Sequence, residues 1–173
     1  MKEGIYMELY LYHGTTEEGF AKIVLDGGII KNNNSDSCCK DSETELLDEL
    51  IKEHIGKDIR QGCIYLSDNY ACSLPYDYAF TINGSMLDME KLYISDNSIL
   101  EKIRELYYSN ANKHKIKSMV EKYHNTLMLY KDYIESELYY DNPEYLYFGE
   151  ITVSIDDKDI LESKRIKKEL HLD

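Results

Sequence analysis

The sequence predicts an α+β fold, and three observations carry that expectation. An alternating strand at the start runs straight into a helix. Short strands and long helical stretches then follow in unequal blocks, without the regular strand-helix alternation of a doubly wound sheet. No glycine-rich phosphate loop follows a strand, which removes the other mark of that architecture. The chain has 173 residues, enough for one domain with a real core. No linker composition divides it. The expectation is a single domain over residues 1–173, with helical insertions at about 40–58 and 97–140.

The first strand is read from its period of two. Ile5, Met7, Leu9, Leu11 and His13 share one face, and Tyr6, Glu8, Tyr10 and Tyr12 share the other. Thr15-Thr16-Glu17-Glu18 has the capping-box form, Phe20, Ile23 and Val24 make an apolar stripe, and Gly27-Gly28 gives a stop. Residues 16–26 are therefore a predicted helix. A loop is expected at residues 32–37 from their Asn, Ser and Asp content. Ser42-Glu43-Thr44-Glu45 opens an acidic helix over 42–55. Leu46, Leu47, Leu50, Ile51 and Ile55 lie on its apolar side, and Glu45, Asp48, Glu49 and Glu53 are expected to face water.

Gly62 introduces a short strand over 63–67, and Asp68-Asn69 reads as a helix start. A capping box at Ser98-Ile99-Leu100-Glu101 begins a helix to about Tyr108. One long helix is predicted over 112–139, because Ile116, Val120, Tyr123, Leu127, Tyr130 and Ile134 step by four and three. Asn142-Pro143 stops it. Residues 145–155 form the last strand, closed by Asp156-Asp157.

Composition narrows the function classes. Hydrophobic residues at 43% and charged residues at 31% describe a folded chain rather than a disordered one. The net charge of −13 argues against a general nucleic-acid surface and fits a self-repelling monomer or a partner with a basic face. A basic cluster near the C-terminus, Lys164, Arg165, Lys167 and Lys168, reads as a solvated face. Cys38, Cys39, Cys63 and Cys72 include no C-x-x-C pair, and no histidine stands at zinc spacing, so no metal site is expected. Cys63 reads as core. With no membrane-length apolar run and no signal-peptide core, the expectation is a cytoplasmic protein without a membrane partner. Seventeen tyrosines against three phenylalanines and no tryptophan supply rings that carry hydroxyls.

His13 closes the first strand and Gly14 follows. A buried strand-end histidine is ordinarily a satisfied core residue. The alternative is a ligand site, where a glycine lets a small molecule reach the backbone. The second informative stretch, residues 62–80, bears on the choice. Gly62-Cys63-Ile64-Tyr65 is followed by Ser73 eight residues and Tyr76 eleven residues after Tyr65. The similar letters Leu92-Tyr93-Ile94-Ser95-Asp96-Asn97 have Arg104, not an aromatic residue, eleven residues after Tyr93.

With Tyr12-His13-Gly14-Thr15 and Gly27-Gly28-Ile29, this pair of motifs resembles the His-Tyr-Glu ADP-ribosyltransferases of the diphtheria-toxin and poly(ADP-ribose)-polymerase type. The direct match covers about 35 residues. The resemblance implies a split, mixed β-sheet core with helical insertions. It also implies NAD consumed as substrate, with no metal. His13 would bind the adenosine ribose, Gly14 the nicotinamide carboxamide through its backbone, and Thr15 would complete the motif. Tyr65 and Tyr76 would sandwich the nicotinamide ring, and Ser73 would add a hydrogen bond. Pro75 stands where relatives continue a helix, so Tyr78 is the alternative to Tyr76. The carboxylate is Glu144, which opens a run of aromatic and apolar residues, or Glu150 after Gly149, with Glu162 as a further alternative. Such a residue would bind the ribose hydroxyls and favour the developing cation.

The function implied is a mono-ADP-ribosyltransferase acting on a protein, in the role of a toxin, an effector, or a host-defence or counter-defence enzyme. Two other classes stay open. One is a noncatalytic acidic binding or inhibitor protein on the same fold. The other is an NAD glycohydrolase or a transferase acting on nucleic acid.

Overall fold

The structure is a computed structural model that describes residues 8–31, 42–56, 59–60, 62–155 and 160–162, with 42–44 and 160–162 described by their backbone alone. Along the chain the elements are β1 (Tyr10–Thr15), α1 (Glu17–Leu25), β2 (Ile29–Ile30), α2 (Ser42–Ile55) and β3 (Ile64–Leu66). A single 3-10 turn (Tyr70–Ser73), β4 (Tyr78–Asn83) and a second 3-10 turn (Gly84–Met86) follow. Then come β5 (Leu92–Asp96), α3 (Asn97–Tyr108), α4 (Lys113–Thr126), β6 (Met128–Leu129) and α5 (Tyr130–Glu135). The chain ends in β7 (Pro143–Tyr147), β8 (Ile151–Thr152) and β9 (Ile160–Glu162). Helices with antiparallel sheets make this an α+β protein. The predicted loop at 32–37, Ile5 and Met7, Cys38 and Cys39, Asp156-Asp157 and the Lys164 cluster lie outside the described residues.

The described residues divide into two compact units, each built from separated stretches of chain. The first draws on Met1–Lys31, Leu66–Asp88 and Glu150–Asp173, the second on Asn32–Tyr65 and Met89–Gly149. In the first unit β4 lies between β1 and β9, antiparallel to both. Leu11, Phe80 and Ile82 are fully buried and Tyr10 is exposed, the alternation of a strand with one face in the core. Phe20 of α1 stacks on Tyr78 at 4.2 Å between ring centres, which seats that helix on the sheet. Thr16, not Thr15, caps α1: its hydroxyl accepts from Gly19 N at 3.2 Å, while Thr15 stays buried in the strand. Gly28 ends the helix at φ 87°, and a Cβ there would run into the Val153 carbonyl, so β2 can lie against β8 only with glycine at this turn.

The second unit packs three helices around one apolar core. Leu47, Leu50 and Ile51 come from α2, Ile99, Leu100 and Ile103 from α3, and Ile116, Val120 and Tyr123 from α4. The sheet order is β3-β7-β5-β6. Asp96 caps α3 by accepting from Ser98 N at 3.0 Å, two residues ahead of the predicted capping box.

Three sequence expectations need correction here. Asp48 does not face water: it is 6% exposed, because Arg60 supplies a buried partner. The long helix over 112–139 is broken after Thr126. Its hydroxyl donates to Tyr123 O at 2.7 Å and accepts from Asp96 N at 3.2 Å, and the chain leaves the helix to pair Met128 and Leu129 with β5. Only the first half of the predicted seam is buried, and Ile134 is 55% exposed. The last strand is also two strands. β7 pairs with β5 and β8 with β2, and the switch falls at Phe148, Gly149 and Glu150. A basic stretch that composition alone did not single out is α4, with exposed Lys113, Lys115, Lys117 and Lys122.

Candidate functional site

In the first unit the His-Gly motif lies near the end of β1. His13 is opposite Phe80, Gly14 opposite Ala79, and Thr15 opposite Tyr78. On the other edge, Tyr12 exchanges both backbone hydrogen bonds with Ser67, at 2.7 and 3.0 Å. In an antiparallel ladder, residues two apart point their N–H and C=O to the same edge. Gly14 therefore directs both groups to the edge that Ser67 occupies one step earlier. That neighbouring strand turns away beyond Ser67, into the 3-10 turn capped by Asn69.

Tyr76 follows that turn, and its ring lies on Gly14. A Cβ on Gly14 would stand 2.7 Å from Tyr76 Cγ and nearer still to Cδ2. A glycine and a tyrosine far apart in sequence are thus in contact, and glycine is the residue that permits the contact. Pro75 ends the turn without carrying Tyr76 away from β1. Tyr78 is instead committed to Phe20. Ser73 is 2% exposed and donates to Tyr70 O at 2.6 Å, so its hydroxyl holds its own turn. Glu150 is exposed. Glu162 is the register partner of Tyr78 on β9.

The second unit holds Tyr65 and Glu144 on the neighbouring strands β3 and β7. Both touch Arg60, which is 5% exposed. Arg60 Nε donates to Asp48 Oδ1 at 2.9 Å, and Nη1 donates to Glu144 Oε2 at 2.8 Å and to the Tyr123 oxygen at 2.9 Å. Glu144 Oε2 also accepts from the Tyr123 hydroxyl at 3.1 Å, and Ser95 Oγ lies 3.1 Å from it. The Glu144 side chain nonetheless keeps 13% exposure. The guanidinium stands 5.0 Å over the Tyr65 ring centre, at cation-π range. The Arg60 carbonyl accepts from the Tyr65 hydroxyl at 3.2 Å and from Cys63 Sγ at 3.0 Å.

A buried guanidinium is tolerable only with such compensation. Burial works to lower the Arg60 pKa, and Glu144, with Tyr123, Tyr65 and Asp48, outweighs it, so the net shift is upward. Burial pushes the Cys63 thiol up to about 12 and raises the Tyr65 and Tyr123 hydroxyls, with Arg60 pulling each back part of the way. Among the described residues no three His, Cys, Asp or Glu side chains gather where they could hold a metal ion, and no helix is long and apolar enough to cross a membrane.

No protein-family model, curated protein or solved structure matches this chain. His13, Gly14, Thr15, Ser73, Tyr76, Tyr78 and Glu150 fall in the first unit, and Tyr65 and Glu144 in the second. Sequence reasoning missed Arg60, Asp48, Ser95 and Tyr123 as site residues. One signal was available. Asp48 stands three residues before Ile51, on the apolar face of α2, where an unpaired carboxylate would be unfavourable.

Proposed function

We propose that the protein is a mono-ADP-ribosyltransferase that splits NAD at the nicotinamide bond and transfers ADP-ribose to a protein. The observation that carries this reading is at Gly14. A backbone donor and acceptor on one residue, directed to a strand edge that no described strand pairs beyond Ser67 and beneath an aromatic ring, match a flat carboxamide bearing one acceptor and one donor. In this reading Gly14 N–H and C=O hold the carboxamide of the substrate, and Tyr76 lines the ring. His13, on the same strand, takes the adenosine ribose. By the resemblance, Tyr65 is the other tyrosine of the motif pair.

Glu144 is the carboxylate of this reading. Its Oε2 is fixed by several donors while the side chain keeps some exposure, so Oε1 is the oxygen left to meet a ribose hydroxyl. A fixed negative charge of this kind favours an oxocarbenium-like centre more than the neutral substrate. The fold of this proposal is the split, mixed-sheet core of the same transferases. The acidic balance of the chain, −13, favours a protein acceptor over nucleic acid.

The test is nicotinamide release by the purified protein, in buffer and in cell lysate, beside Gly14→Ala, Glu144→Gln, Glu150→Gln and Glu162→Gln. Release that rises with lysate, labels a protein band, and is lost in Gly14→Ala and Glu144→Gln is the expected result. Release in buffer alone would make the protein a glycohydrolase. With no release and no NAD-induced rise in melting temperature, the enzyme reading falls and an acidic binding protein replaces it. Loss in Glu150→Gln or Glu162→Gln alone would move the carboxylate to that residue.

A further inference from the structure

We infer that Arg60, a residue outside both motifs, is the positioning residue that sets Tyr65 and Glu144 for the reaction. This inference rests on the proposed transferase reading. Tyr65 and Glu144 lie on different strands and are separated by 79 positions (144 − 65) in the sequence. Arg60 contacts both in three ways. Its Nη1 fixes Glu144 Oε2, its guanidinium plane lies over the Tyr65 ring, and its carbonyl receives the Tyr65 hydroxyl. Asp48 holds the opposite edge of the guanidinium through Nε and so fixes its plane. A planar, two-edged cation can serve both partners together, and a lysine ammonium cannot.

The arrangement leaves Arg60 itself 5% exposed and Glu144 more accessible, at 13%. That division suits a group acting through another rather than on the substrate. Arg60 determines which oxygen of Glu144 is held and how far the Tyr65 ring can tilt. A displacement of about 1 Å at either is enough to lower a rate roughly a hundredfold. Ser95 and Tyr123 assist at Glu144 Oε2, and Arg60 adds the contacts with Tyr65.

The experiment is a double-mutant cycle of Arg60→Lys with Glu144→Asp, read by nicotinamide release, together with a crystal structure of Arg60→Lys. Glu144→Asp retains a carboxylate but draws it away from Arg60, so residual activity stays measurable. The expected result is a loss of about tenfold or more for Arg60→Lys in the native background and of less than about twofold in Glu144→Asp. In the crystal structure Glu144 and Tyr65 leave their native rotamers. Equal losses in both backgrounds, or native rotamers retained, overturn the inference, because a general loosening of the unit has no reason to act through Glu144. Should Arg60→Lys fail to fold, Asp48→Asn takes its place, since it weakens the hold on Nε. If the native protein releases no nicotinamide, the transferase reading falls. The rotamers of Glu144 and Tyr65 in the variant then decide the positioning role by themselves.

Discussion

At the scale of single residues, burial of the Cys63 thiol sets a pH limit on stability, with Arg60 working against it. The thiol is 2% exposed and donates to the Arg60 carbonyl. Folded, it keeps its proton to about pH 12, against an ordinary value of 9.0. Between those values the unfolded chain holds fewer protons than the folded one, so the unfolding free energy falls as pH rises. The contribution is complete below pH 9.0 and is lost toward pH 12. Each such group changes stability by at most about 1.4 kcal/mol per pH unit. Tyr65 and Tyr123, also pushed up by burial, act in the same direction at higher pH. Urea midpoints measured from pH 8 to pH 11 are expected to fall above about pH 9. Cys63→Ala should flatten the first part of that fall, and an unchanged profile would mean that the thiol reaches solvent. The candidates His13, Gly14, Tyr65, Tyr76 and Glu144 were named from the letters and spacing of motifs, and the contact of Tyr76 with Gly14 is the part of that pattern visible in the structure. Arg60 was not among them, because the groups that compensate its charge, Asp48, Tyr123 and Glu144, stand 12, 63 and 84 positions away.

Among the elements, α4 shows where periodicity informs and where it stops. The helix is amphipathic, and Ile116, Val120 and Tyr123 are buried as their spacing predicts. The same spacing continues through Leu127, Tyr130 and Ile134, yet the helix ends at Thr126. The edge of β5 takes Met128 and Leu129 as a strand, and a strand edge in need of a partner leaves no trace in local periodicity. The division of residues 145–155 has the same origin: the run of strand-forming residues continues past Phe148 and Glu150 while the hydrogen-bonding neighbour changes from β5 to β2. The start of α4 is a more local matter. Asn112 Oδ1 accepts from His114 N at 2.7 Å and from Lys115 N at 3.3 Å. Asn112→Ala removes that cap and should lower stability by about 1 kcal/mol, whereas Asn112→Asp, which keeps the acceptor, should cost only a few tenths. Urea denaturation of the two variants checks this. Equal losses would show that the side chain matters for something other than its acceptor oxygen.

For the whole molecule the dominant quantity is charge. Thirty-three acidic residues face 20 lysines and arginines, and the chain carries −13. Part of the basic complement is gathered on α4, where four lysines are exposed, so the acidic excess is concentrated elsewhere. Two effects then oppose one another as salt is added. Screening weakens exposed ion pairs such as Lys22–Glu18 at 3.7 Å and Lys117–Glu121 at 3.9 Å, and it weakens the repulsion among the surplus carboxylates. Exposed i,i+4 pairs are worth only about 0.3–0.5 kcal/mol each. Repulsion acts among many charges at once, and a compact state holds them closer than an unfolded one does. The Arg60 pairs with Asp48 and Glu144 are buried and respond little to salt. Repulsion should therefore win, and the melting midpoint should rise by a few degrees, about 2–5 °C, between roughly 10 mM and 300 mM NaCl, where the screening length drops from about 30 Å to below 10 Å. Calorimetric scans across that range test the balance. A midpoint that falls would mean that the surface pairs, and not the surplus of acid, govern how this chain responds to its solvent.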